Sequence, residues 1–185
     1  MLLKQESRSR SDFEAPEMDF RWLGVDTPYL TIGAVGNVIV SAWRLHATPE
    51  QLRPYREILF KAADEWPQGI ASIVYLAEGM KPPDNIARDI ITGFLRDLDA
   101  KLIAYATVMS GEGFVYAGLR ALSSTFTLMS RNKAPQKFLP TIEEAVLWIR
   151  PHLDKRPPVP TSERLRSGLR TVVKQLTANP LPNHG

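Results

Sequence analysis

Three apolar runs of strand length alternate with segments of helical periodicity, and this alternation constrains the fold more than any other feature. The runs are VIVSAWR at residues 38–44, IASIVYLA at 70–77 and KLIAYATVM at 101–109. Nearly continuous apolar character is typical of strands in a sheet that is covered on both faces. Because helical segments connect the runs, the sequence predicts a mostly parallel sheet flanked by helices.

An antiparallel hairpin is predicted ahead of the alternating part. Residues 29–34 and 38–44 both have strand character, and Val35-Gly36-Asn37 separates them. Glycine adopts positive φ without steric cost, so Gly36-Asn37 indicates a tight hairpin turn. The predicted fold class is therefore α/β, with a mixed, mostly parallel sheet, an N-terminal antiparallel hairpin and flanking helices.

Capping residues mark the expected starts of three helices. Thr48 precedes Pro49, Asp84 precedes a run with an apolar stripe, and Thr141 with Glu144 forms a capping-box pattern. Short polar side chains at these positions accept hydrogen bonds from the first backbone N–H groups of a helix. A further helix is predicted over residues 114–131, and a short strand is predicted in PQKFLP.

The order of these elements resembles the STAS domain, the fold of bacterial anti-sigma factor antagonists. VGNVIVSAWRLHATPEQL is similar to the opening of that domain and TIEEAVLWI to its closing helix, and the resemblance spans residues 29–153. It implies a regulatory, non-enzymatic domain that acts by binding a protein.

In the antagonists, a partner kinase phosphorylates a serine in the loop that follows the strand equivalent to IASIVYLA. The loop here, EGMKPPDN at 78–85, contains no Ser, Thr or Tyr, so the resemblance implies the fold without that switch.

Composition divides the chain into three segments. We expect residues 1–28 to form a partly disordered arm, 29–153 the STAS-like domain, and 154–185 a proline linker with a basic amphipathic helix. The net charge of the chain is +3, with +4 on residues 154–185 and −1 on the remaining residues. The basic character lies in the tail, and it does not indicate a specific nucleic-acid binder.

The N-terminus lacks the apolar core of a signal peptide and no run reaches about 18 apolar residues, so we expect a cytoplasmic protein.

No residue pattern indicates an enzyme, a cofactor or a metal. Cysteine is absent, His46, His152 and His184 lack metal-ligand spacing, and there is no Gly-x-Ser-x-Gly sequence. The alternative is a small-ligand-binding or catalytic domain that uses the loops at 78–85 and 110–113, because α/β folds bind ligands at the carboxyl ends of parallel strands.

Two predicted helices have apolar residues that we expect another surface to cover. In the helix at 114–131, Val115, Leu119 and Phe126 widen the apolar face beyond what one sheet surface needs. A partner or a second subunit would cover them, or the N-terminal arm would.

The tail helix has an apolar stripe formed by Leu165, Leu169, Val172 and Leu176. A helix of this length is marginal alone in water and must dock, either on its own domain, on a partner protein, or on an anionic membrane or nucleic-acid surface. We therefore expect an interaction module that binds a protein or a second copy in a homodimer, with these apolar residues at the interface. Weak contact of the tail with an anionic surface is a further alternative.

Overall fold

The computed structural model describes residues 18–98, 100–109, 133–157 and 159–181. These ranges contain six strands and four helices. In chain order they are β1 (Phe20–Asp26), β2 (Leu30–Val35), β3 (Val38–Trp43), α1 (Pro49–Glu65), β4 (Ile70–Leu76), α2 (Asn85–Asp97), β5 (Leu102–Met109), β6 (Gln136–Leu139), α3 (Ile142–Leu153) and α4 (Ser162–Ala178).

The strands form one sheet in which spatial order follows chain order, from β1 to β6. β1, β2 and β3 pair in an antiparallel manner, and β3 to β6 pair in parallel. The β2–β3 hairpin closes at the pair Val35 and Val38, and Gly36 in its turn has a φ of +56°. The predicted α/β class, with its antiparallel start and parallel continuation, is confirmed.

Helices cover both faces of the sheet. On one face, α1 and α2 contribute buried side chains such as Tyr55 and Phe94 to the core. On the other face, α3 and α4 contribute side chains such as Ile149 and Leu169. Successive residues of a strand point to opposite faces, and both faces are apolar here, which explains the continuous apolar runs in the sequence.

The N-caps predicted from the sequence are confirmed at three helices. Thr48 forms a capping box with Gln51, Asp84 accepts from the N–H of Ala87, and Thr141 accepts from the N–H of Glu144. Each cap satisfies a backbone donor that has no partner within the helix. The loop at 78–85 therefore ends in a helix cap at Asp84.

The tail helix α4 docks on its own domain, across β2 and β3. Gly168 permits a close approach, because a Cβ at this position would overlap Val35 Cγ2 and lie 3.2 Å from Phe20 Cδ2. The Thr31 hydroxyl donates to the Val172 carbonyl at 2.8 Å, in a buried setting. The docked helix is thus the cover of one sheet face over the antiparallel strands.

Two elements outside residues 29–153 pack with the sheet. β1 lies within residues 1–28, and α4 lies within residues 154–185. Both segments therefore contribute an element to the described fold. β1 carries a bulge between Trp22 and Val25, with Gly24 at a φ of +84°, and such bulges are common in strands at the edge of a sheet.

Candidate interaction surface

The apolar stripe of the tail is not an exposed surface in this chain. Leu165, Leu169, Val172 and Leu176 are each 0% exposed and pack with Val35, Val38 and other residues of the sheet. This corrects their expected place at a partner interface, because α4 needs no second protein to bury them. Val115, Leu119 and Phe126, the other expected interface residues, lie outside the described residues.

A hydrogen-bonded cluster fixes the carboxyl end of α4, and we call it the tail latch (Asp26, Pro28, Arg44, Gln175 and Asn179). The Arg44 guanidinium donates to the Pro28 carbonyl at 2.5 and 2.8 Å and to the Asn179 carbonyl at 2.7 Å. The side-chain amides of Gln175 and Asn179 donate to the Asp26 carboxylate at 2.9 and 2.6 Å. The latch therefore connects the end of β3 and the β1–β2 turn to the end of α4, which are far apart in the sequence.

Docking of the apolar stripe leaves the basic side of α4 facing outward. Arg166, Arg170 and Lys174 recur at intervals of four residues, and we call them the basic ridge. Together with Glu163, Ser167 and Thr171 they line an open concavity of about 360 Å³. Within α4 there are four basic residues and one acidic residue, a net charge of +3. The ridge is therefore an exposed, predominantly cationic surface.

One ion pair and one hydrogen bond attach the neighbouring helix α3 to the tail helix. Arg170 bonds to the carboxylate of Glu143, at the start of α3, at 2.8 Å. A hydrogen bond from the backbone N–H of Glu143, followed by the bond from Arg170, lowers the pKa of this carboxyl below its usual 4.5. At the other end of α3, Arg150 donates to the Pro160 carbonyl, which precedes α4. The two helices therefore run antiparallel.

One helical turn after Glu143, which pairs with Arg170 of the ridge, α3 carries an exposed leucine. Leu147 is 63% exposed, and it follows Glu143 by four residues on the same side of α3. The half-buried Trp148 contacts His152, with ring centroids 4.8 Å apart and the ring planes tilted by 57°. Sequence reasoning missed Leu147, although an apolar residue four positions after an acidic one was the available signal. We call Leu147 and the basic ridge the outer helical surface.

The strand-end loop at 78–85 is held by backbone bonds rather than arranged around converging polar side chains. The Lys81 N–H donates to the Leu45 carbonyl at 2.6 Å, and the Met80 N–H donates to the Ala77 carbonyl at 3.1 Å. Leu45 has a φ of +71°, which is unusual for a residue other than glycine. The carboxylate of Asp84 is engaged as the cap of α2. Residues 110–113, the second loop of the alternative prediction, lie outside the described residues.

The buried Tyr55 and the partly buried Tyr105 bring hydroxyl groups into the core on the α1 and α2 face of the sheet. The hydroxyls of Tyr55 and Ser72 are 3.2 Å apart, and Ser72 is paired in register with Tyr105 on β5. Burial raises the pKa of Tyr55 above its usual 10.0, and burial together with Tyr55 raises the pKa of Tyr105 well above that value. Both phenols therefore stay protonated near neutral pH and provide hydrogen bonds rather than a general base.

Among the described residues, no group of three or more His, Asp or Glu side chains is placed to hold a metal ion. His46 is exposed, His152 contacts Trp148, and His184 lies outside the described ranges. No helix in those ranges combines the length and apolar character needed to cross a membrane.

Comparison with known proteins yields no match to a family model, to a curated protein or to a solved structure.

Proposed function

We propose that this chain is a non-enzymatic protein-interaction module with a regulatory role, and that it binds its partner through the outer helical surface. The observation that carries the proposal is the docking of the tail. Because the apolar stripe of α4 is buried within the chain, its basic ridge faces outward in a fixed position beside Leu147.

The composition of this surface favours a protein partner with acidic residues. Arginine is enriched where proteins bind one another, and a few residues at the centre of an interface carry most of the binding energy. Arg166, Arg170 and Lys174 would attract carboxylates and accelerate encounter, while Leu147 would provide the apolar anchor. The proposed partner segment is therefore acidic with at least one apolar side chain.

The proposal includes a STAS-like fold without the phosphorylation switch, in a bacterial, cytoplasmic protein. The order of the antiparallel start and the parallel continuation supports it. The absence of Ser, Thr and Tyr from residues 78–85 supports a mode of regulation other than phosphorylation of that loop. A homodimer is one form of this proposal, in which the partner segment belongs to a second copy.

Site-specific photo-crosslinking tests the proposal. A photoreactive residue replaces Leu147 in one variant and Ile86 in another, because Ile86 is equally exposed, at 64%, but belongs to α2 on the other face of the sheet. Crosslinking is performed in lysate of the native cells, and the adducts are identified by mass spectrometry. We expect a defined protein adduct, or a crosslinked homodimer, from position 147 and none from position 86.

Charge reversal provides the second half of the test. R166E/R170E/K174E should abolish the adduct at position 147. The control R53E/K61E/K81E makes the same change in net charge at exposed sites away from the ridge, and it should keep the adduct. Equal crosslinking at positions 147 and 86, or an adduct that survives reversal of the ridge, contradicts the proposed surface.

A further inference from the structure

The basic ridge has a candidate occupant within the same chain. Arg164, at the start of α4, forms an ion pair with Asp19 at 3.4 Å. Asp19 lies next to the first described residue, Met18, so the preceding segment joins the described structure beside the amino end of α4. That segment ends in SDFEAPE at residues 11–17, which contains three carboxylates and no basic residue.

From these observations we infer that the acidic segment 11–17 (Asp12, Glu14 and Glu17) docks on the basic ridge of the same chain. The Asp19–Arg164 pair is the first contact of this series, and Glu17, Glu14 and Asp12 continue it toward Lys174. The charges are complementary, because the ridge carries three basic side chains, of which Arg170 also pairs with Glu143, and the segment carries three carboxylates.

The distances permit this docking. Arg164 and Lys174 are ten residues apart, which is about 15 Å along a helix axis. Glu14 is five residues before Asp19 and Asp12 is seven, so an extended chain carries them about 17 and 23 Å from the ion pair. The segment is therefore long enough to follow the full ridge without moving Asp19.

Docking of the segment would regulate the surface proposed above for a partner. A tethered segment of this length acts at an effective concentration in the millimolar range, so an acidic partner must displace it. This regulatory consequence rests on the proposed function, whereas the docking itself does not.

Paramagnetic relaxation in the full chain tests the docking without a partner. The chain has no cysteine, so Ala15→Cys accepts a nitroxide label at one position and leaves the three carboxylates intact. In a low-salt buffer, the amide resonances of residues 166–174 should lose intensity, and those of α2 on the opposite face should not. The loss should diminish as salt screens the charges.

Matched neutral variants identify the cause. In the labelled chain, D12N/E14Q/E17Q should restore the α4 intensities, whereas K4Q/R8Q/R10Q, which neutralises the same number of charges, should leave the loss unchanged. Unaffected α4 resonances in the labelled chain, or a loss that persists in D12N/E14Q/E17Q, would overturn the inference.

The partner experiment then separates the two proposals. If a protein crosslinks at position 147, a chain lacking residues 1–17 should bind it more tightly than the full chain does. Equal affinity of the two chains would contradict regulation by the segment while leaving the interaction surface supported. A relaxation effect without any crosslinked partner would support the docking and count against the proposed function.

Discussion

Gly168 of α4 and Val35 of β2 approach so closely that a methyl group at residue 168 would overlap the Val35 side chain. By helix propensity alone, Gly168 weakens the tail helix, since glycine disfavours a helix interior. In the structure it sets how near the helix lies to the sheet. Gly168 and Val35 are far apart in the sequence, so no local sequence pattern predicts this contact.

Gly168→Ala should destabilise the domain by about 1–3 kcal/mol, the usual cost of overpacking. The opposite is expected from helix propensity alone, which favours alanine over glycine by about 1 kcal/mol. Urea unfolding followed by circular dichroism measures the difference. The double variant Val35→Ala/Gly168→Ala should lose less than the sum of the single changes, because the smaller residue 35 makes room. A more stable G168A chain would show that α4 does not lie on β2.

Two leucines of the helical layer should respond very differently to truncation. Leu169 is fully buried and Leu147 is 63% exposed. Leu169→Ala should cost about 2–5 kcal/mol of unfolding free energy through lost burial and a cavity, whereas Leu147→Ala should stay within about 0.5 kcal/mol. The same unfolding titration measures both, and each is the control for the other. Similar small effects at both positions would contradict docking of the tail.

The tail latch depends on Arg44. Arg44→Ala removes the donors to the Pro28 and Asn179 carbonyls, which are partly buried, and the net contribution of a hydrogen bond to stability is about 0.5–1.5 kcal/mol. We expect a stability loss in that range, measured by thermal and urea unfolding. Arg53→Ala, at an exposed site on α1, is the control and should change little. If the two variants are equally stable, the latch does not hold the end of α4.

His152 should make stability depend on pH. Burial, and secondarily Lys155, lowers the pKa of His152 below its usual 6.5. The unfolded chain therefore takes up the proton first, so this contribution to stability is present above pH 6.5 and is lost as pH falls toward the folded-state pKa. His152→Gln should remove that part of the profile in urea titrations between pH 5 and 8, with His46→Gln as the control. Parallel profiles for the wild-type and H152Q chains would contradict the assignment.

The elements with local signals could be predicted from the sequence. Thr48, Asp84 and Thr141 identify helix starts because a cap is a contact between residues three apart. Gly36 identifies the hairpin because a tight turn also depends on residues that are adjacent in the sequence. The alternation of strands and helices indicates the parallel part of the sheet. These features need no knowledge of the rest of the chain.

The position of the tail could not be predicted in this way. An amphipathic helix shows that its apolar stripe must be buried, but it does not show against what. The answer lies in contacts between distant residues, such as Thr31 with Val172 and Asp26 with Asn179. For the same reason the outer helical surface was missed, since Glu143 and Arg170 become neighbours only when α3 and α4 pack antiparallel.

Hydrogen exchange of the full-length chain tests the central claim, that α4 docks on its own sheet and leaves only its basic side available. The measurement compares backbone amides of residues 165–176 with those of β3, by mass spectrometry or NMR. We expect both to open with the same free energy, because they belong to one cooperative unit. If the α4 amides exchange freely while β3 stays protected, the account is contradicted, and the apolar stripe becomes the surface that a partner would bind.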